Sequence, residues 1–112
     1  LVCLNQESSS NARFEENGVL AINILASRNE AVARVFAGEG KLDVDGRFAS
    51  GRWTKLKTGA PLLEDALVSF DCRIVEGRVV ATHRVIIAEV VGMSRPVPGE
   101  SLLYRARRYH HL

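Results

Sequence analysis

The sequence predicts an α+β fold, mainly β, in which two short helices interrupt a set of antiparallel strands. Three observations predict it. From Ala66 onward the alternation is clean: Ala66, Val68, Phe70, Cys72 and Ile74 share one face, and Ser69, Asp71 and Arg73 share the other. That is the period of a half-buried antiparallel strand. Val19 to Leu25 is nearly continuous in apolar residues, as in a strand covered on both faces. Segments with helix start and stop signals stand on either side of that run.

In order along the chain, Leu1 to Asn5 reads as a short buried strand. Glu7 to Asn17 is polar, with three serines at its start and Asn17-Gly18 at its end, and reads as a surface helix touching the core only through Ala12 and Phe14. After the Val19–Leu25 strand, Ser27 and Glu30 have capping-box spacing and open a second helix. Its apolar stripe is Ala31, Val32, Val35 and Phe36, and Gly38 and Gly40 end it. Residues 41–51 read as a crossing loop with room for one turn between Val44 and Phe48. Trp53 begins a short strand, and Thr58-Gly59-Ala60-Pro61 is a turn. Glu76-Gly77 reads as the hairpin turn after the alternating strand, with a long strand from Val79 to Met93 and a last short one at Leu102–Tyr104. These strands are too few to close a barrel alone, so further strands or a partner subunit are expected to complete it. The chain opens without Met inside a strand-like run, which leads us to expect upstream residues.

A chain of 112 residues reads as one domain, 1–112, large enough to bury a core without metal or disulfide. Apolar residues make up 46% and charged residues 25%, as in an ordinary globular protein. The net charge of +2 gives no reason to expect a nucleic-acid or membrane partner. Cys3 and Cys72 each sit in an apolar strand pattern and read as buried free thiols, so a cytoplasmic location is expected. The histidines lack His-x-x-x-His spacing and the cysteines form no CxxC pair, which argues against a metal site. There is no Gly-rich phosphate loop and no Gly-x-Ser-x-Gly elbow.

Two local patterns carry binding chemistry. Ser8, Ser9 and Ser10 open a helix directly after a strand, where free N–H groups and the helix dipole favour an anion; Arg13 follows one turn on. Plain N-capping would need only one of these serines. Ala37-Gly38-Glu39 follows the second helix, where Gly38 serves as a C-cap and also permits a close backbone approach.

The order of these motifs resembles the flavin reductase family. The residues that carry the resemblance are Val2-Cys3-Leu4-Asn5, the serine-led helix start, Leu20 to Leu25 and Val35-Phe36-Ala37-Gly38 in the first half. In the second half they are Trp53, Thr58 to Leu63, Asp65-Ala66-Leu67, Phe70-Asp71-Cys72, His83, Ile86 to Val90, Leu102-Leu103-Tyr104 and Arg108-Tyr109-His110. The resemblance implies a Greek-key split β-barrel that is dimeric, binds FMN or FAD near the subunit interface, and takes hydride from NADH or NADPH. It further implies a flavin-dependent monooxygenase as receiver of the reduced flavin.

By the same resemblance, Asn5, Gln6, Ser8, Ser9, Arg13, Ala37, Gly38 and Glu39 contact the flavin, with the serines at its phosphate. His83, Arg108, Tyr109 and His110 contact the nicotinamide dinucleotide. Two positions depart from the family pattern: Ala81-Thr82-His83 stands where Gly-Asp-His is usual, and Arg107 replaces a common glycine. No catalytic acid or base is expected, because hydride transfer belongs to the cofactors and the protein aligns them. A flavin-binding electron carrier and a non-catalytic dimerisation module are the competing readings. All four elements (serine-led helix, Gly38 turn, His83, Tyr109 tail) are expected to meet in one crevice between two subunits.

Overall fold

Two long strands organise the computed structural model, which describes residues 1–112. β5 (Val68–Val80) and β6 (His83–Met93) form an antiparallel ribbon. β1 (Val2–Asn5) adds to β6 and β2 (Val19–Ile24) to β5, giving the order β1-β6-β5-β2. Two small hairpins complete the β structure: β3 (Trp53–Thr54) with β4 (Leu62–Leu63), and β7 (Leu102–Arg105) with β8 (Arg108–His111). Three short helices lie between strands: α1 (Asn11–Asn17), α2 (Glu30–Phe36) and α3 (Val44–Phe48). α3 is the single turn for which the 41–51 stretch had room, so the helices number three where two were expected.

The main sheet is curled. A straight strand of thirteen residues would span about 40 Å, yet the Cα trace extends only 32 × 29 × 27 Å. The ribbon bends at two bulges: Val91 has no opposite number where pairing passes from Asp71↔Gly92 to Cys72↔Val90, and Val75 has none between Ile74↔Ala88 and Glu76↔Ile87. An extra residue on one strand raises local twist and bends it. The result is a half-barrel with short helices at its ends.

Two apolar clusters fill it. Leu20, Cys72 and Ile86 are buried inside the curl, with Leu4, Phe14, Phe70 and Ile74 packed around them. Val32, Leu63 and Ala66 form the second cluster against Leu25 and Trp53. Beside it Phe36, Phe48 and Trp53 meet edge to face at 5.1–5.6 Å, and Trp53 Nε1 donates to the Phe48 carbonyl at 2.8 Å. No helix is long and apolar enough to cross a membrane.

Several expectations are corrected. The hairpin turn is Ala81-Thr82, with Ala81 at φ 53°, and the strand runs straight through Glu76-Gly77. The Arg84 guanidinium lies against Gly77, 3.5 Å from where a Cβ would stand, an ordinary contact distance. α1 starts four residues later than the polar pattern implied. The Ser27–Glu30 capping box does not form. Asn29 Oδ1 accepts the Ala26 amide at 2.8 Å, while the Ser27 hydroxyl turns to Glu100 and Glu30 faces Arg34 and His111. In the stripe of α2 only Val32 is buried, and Ala31 is exposed. Cys3 is exposed; only Cys72 is buried.

The polar face of β5 is buried at Ser69 and Asp71, where the β3–β4 segment folds over it, and exposed from Arg73 onward. Ser69 and Asp71 are wholly inaccessible. Ser69 Oγ donates to Asn23 Oδ1 at 2.6 Å. The Asp71 carboxylate accepts the amides of Lys57 at 2.8 Å and Thr58 at 3.0 Å, and the Thr58 hydroxyl.

Candidate functional site

Pairing of β1 with β6 sets Asn5 directly opposite His83, and the next amide, Gln6, donates to the Thr82 carbonyl at 2.9 Å. The serine-led turn and the candidate nicotinamide histidine therefore lie at one end of the sheet. Asn5 shapes the turn as well, its Oδ1 accepting the Glu7 amide at 2.9 Å. From the far side, Asn11 Nδ2 donates to the carbonyls of Asn5 at 2.8 Å and of Gln6 and Ser8 at 3.3 Å.

This turn is self-satisfied to a degree the sequence did not imply. The amides of Gln6, Glu7, Ser8, Ser10 and Asn11 all have partners within the chain. Ser10 occupies the N-cap of α1 without a side-chain cap bond. The expected cradle of free backbone donors is thus largely spent on the turn itself. What remains for a ligand is the Ser9 amide and the side chains. Ser8, Ser9 and Ser10 are exposed, and Arg13 is exposed and makes no ion pair. Hydroxyls beside an uncommitted guanidinium fit the donor needs of a phosphoryl group. Glu7, also exposed, sits in the same turn. His83 is exposed, with Nδ1 2.9 Å from the Thr82 hydroxyl; next to it Arg84 pairs with Glu15 of α1.

The other candidates gather around α2. Gly38 follows the helix at φ 106°, and a Cβ there would meet nothing within 4 Å, so its backbone faces open space. Glu39 lies 3.6 Å from the Arg34 guanidinium. The C-terminal hairpin docks on the same helix. The Leu102 amide donates to the Leu25 carbonyl at 3.0 Å, and Tyr104 and Tyr109, cross-strand partners, bring their rings to 4.9 Å. The Arg34 guanidinium sits 4.7 Å from the centre of the Tyr109 ring. Glu30 accepts Arg34 at 2.6 Å and His111 Nε2 at 2.6 Å. The bonds from Arg34 and then His111 hold the Glu30 carboxyl below its ordinary range, and the bond to Glu30 raises Arg34. Arg108 is exposed and unpaired, and His110 Nε2 lies 3.3 Å from the Arg105 carbonyl.

The chain thus forms two groups, not one. Asn5, Gln6, Ser8, Ser9, Arg13 and His83 lie where β6 begins, at the Val80 end of β5. Ala37, Gly38, Glu39, Arg108, Tyr109 and His110 lie near the Val68 end, where β2 runs on into α2. No hydrogen bond or ion pair joins the groups. Nor do these twelve residues line either of two clefts in the chain. One cleft of about 710 Å³ lies between α2 and the α3–β3 connection, lined by Arg28, Val32, Ser50, Arg52 and Asp65. A groove of about 330 Å³ runs under α1, lined by Phe14, Gly18, Ile74, Arg84 and Ile86.

Sequence reasoning missed Glu30, Arg34 and His111, the residues that seat the hairpin. Glu30 and Arg34 stand four apart, the spacing of a helical ion pair, and that signal was readable. His111 gives no local signal, since its partner lies 81 residues away. Asp71 was legible only by its place in the alternation and in the Phe70-Asp71-Cys72 motif, neither of which signals its burial.

The flavin reductase like domain profile matches residues 1–112. FMN reductase (NADH) RutF of Variovorax paradoxus is 44% identical over all 112 residues, which cover 61% of that protein. FMN reductase (NADH) RutF of Agrobacterium fabrum is 47% identical, again over the whole chain and 63% of its own length. This chain therefore spans less than two-thirds of either. Among solved structures, a candidate flavin reductase from Haemophilus somnus superposes with a TM-score of 0.92 at 36% identity, covering 99% of this chain and 70% of that one. A homologue of nitrilotriacetate monooxygenase component B from Mycobacterium thermoresistibile gives 0.86 at 26%, covering 98% and 60%. With its curled sheet, its element order and its whole length matched, this chain belongs to the flavin reductase like domain family.

Proposed function

We propose that this chain is the larger part of an NAD(P)H:flavin oxidoreductase domain that reduces FMN or FAD and works as a homodimer. The names of the curated relatives favour NADH and FMN. The observation that carries the reading is the Asn5–His83 pairing, because it sets the phosphate-type donors and the nicotinamide candidate side by side on one sheet end. Reduced flavin would pass to a flavin-dependent monooxygenase, a role supported by the likeness to a monooxygenase component B. A cytoplasmic setting suits an exposed free thiol at Cys3.

Bound flavin would supply the hydride acceptor. The chain's own residues bind and align. Ser8, Ser9 and Arg13 would hold the phosphate, with Asn5 and Gln6 shaping the turn that presents them. Ala37, Gly38 and Glu39 would border the flavin, with Gly38 admitting close approach through its open backbone. His83, Arg108, Tyr109 and His110 would orient the dinucleotide. Since one chain holds these residues in two groups, a complete site needs the Val80 end of one subunit to face the Val68 end of its partner. This is the arrangement we assign to the homodimer.

The test is NADH oxidation by the purified protein with and without FMN. Oxidation that rises with FMN supports the reading; a rate indifferent to flavin sinks it.

A further inference from the structure

The C-terminal hairpin has little apolar anchorage of its own. Leu103 and Tyr104 are exposed, and so is every β8 residue except the half-buried Tyr109. Its backbone ties to the rest of the chain are the Leu102–Leu25 bond, the Ser27–Glu100 bond and the Ala26↔Ser101 bridge, all at its base. The side-chain contacts that hold it to the helix pass through two residues of α2, which meet Tyr109 near the tip and His111 at the base. Arg34 covers the Tyr109 ring, reaches Glu30 through two nitrogens at 2.6 and 3.1 Å, and lies 3.6 Å from Glu39. Glu30 in turn takes His111 of β8 on its other oxygen. One arginine thus touches both the hairpin and the turn after α2.

From this geometry we infer that Glu30 and Arg34 are positioning residues, which clamp the hairpin to α2 and fix Tyr109 in relation to the Ala37–Glu39 turn. Neither residue need touch flavin or nicotinamide. The inference rests on the reductase reading, in which the hairpin and the turn serve the dinucleotide and the flavin. Each contact is individually modest, because half-exposed ion pairs and a cation over a ring are weak singly. Together they tie a segment that would otherwise fray as chain ends do.

The experiment compares the unsubstituted protein with Glu30→Gln and Arg34→Met, both of which keep side-chain length and helix propensity. Amide hydrogen exchange is followed along β8 and at Leu112, whose amide bonds the Ser101 carbonyl. Chemical denaturation, read by Trp53 fluorescence, checks that the body stays folded. We expect β8 exchange roughly fivefold to tenfold faster in both variants with little change in the denaturation midpoint. For Glu30→Gln we further expect a raised KM for NADH with kcat and FMN affinity held. Unchanged β8 exchange overturns the clamp, whatever the activity. Faster exchange with an unchanged KM for NADH in an active reductase overturns the positioning role and leaves the reductase reading intact. An unsubstituted protein whose NADH oxidation ignores FMN overturns both.

Discussion

Asp71 accepts the Lys57 amide at 2.8 Å from a position with no solvent exposure, and through it β5 holds the loop that precedes β4. Burial alone would push this carboxyl up. Its bonds from the Thr58 hydroxyl and from the Thr58 and Lys57 amides outweigh burial and hold it below the ordinary 3.8. A folded pKa below the unfolded one contributes stability that is present above about pH 4 and lost as pH falls through the folded value. Replacement by Asn puts an amide donor against donors. Asp71→Asn is expected to cost about 2–3 kcal/mol in denaturant titration at pH 7. The difference from the unsubstituted protein should narrow toward pH 3; a constant difference would count against the carboxylate's role.

The turn of the last hairpin carries strain that substitution can relieve. Ala106 and Arg107 sit at φ 53° and 60°, so a two-residue turn that favours Asn-Gly is built from residues with no such preference. Ala106→Asn with Arg107→Gly is expected to stabilise the hairpin by about 1 kcal/mol. The gain should appear as slower exchange of the β8 amides, and no slowing would mean the turn is not strained.

His83 reaches solvent beside the serine turn and is the strongest candidate for touching the nicotinamide. His83→Ala should raise the KM for NADH roughly fivefold to tenfold, about one hydrogen bond to a ligand, while FMN affinity changes less. Equal losses for both would contradict the assignment.

If Ser8 and Ser9 hold the flavin phosphate, replacing both with Ala should weaken FMN roughly tenfold or more and spare lumiflavin, which has no phosphate. Titration of both flavins decides it, and a like loss for each removes the phosphate role. With most amides of this turn already engaged, the hydroxyls, Arg13 and the Ser9 amide would have to supply the contact.

Much of the fold was legible because it follows local pattern. The alternation from Ala66, the apolar run from Val19 and the glycines after α2 each mark structure formed by neighbours in sequence; β2, the start of β5 and the end of α2 stand where these signals put them, while β5 runs past the expected turn to Val80. The serine-led start with Arg13 and the Gly38 turn were legible as local patterns, the other candidates only as family positions, and the mutual geometry of none of them was. Nothing near Asn5 in sequence announces His83, 78 positions on, as its cross-strand partner.

By itself, the sequence determined the mainly β class, the inserted helices and the family, since these depend on periodicity and on the order of short motifs. Only the tertiary structure decided that the hairpin turns at Ala81, that Asp71 is buried beneath a loop, and that the nominated residues form two groups. The reason is physical: strand register, bulges and the covering of a sheet face depend on contacts between distant segments, whose energies no local window contains.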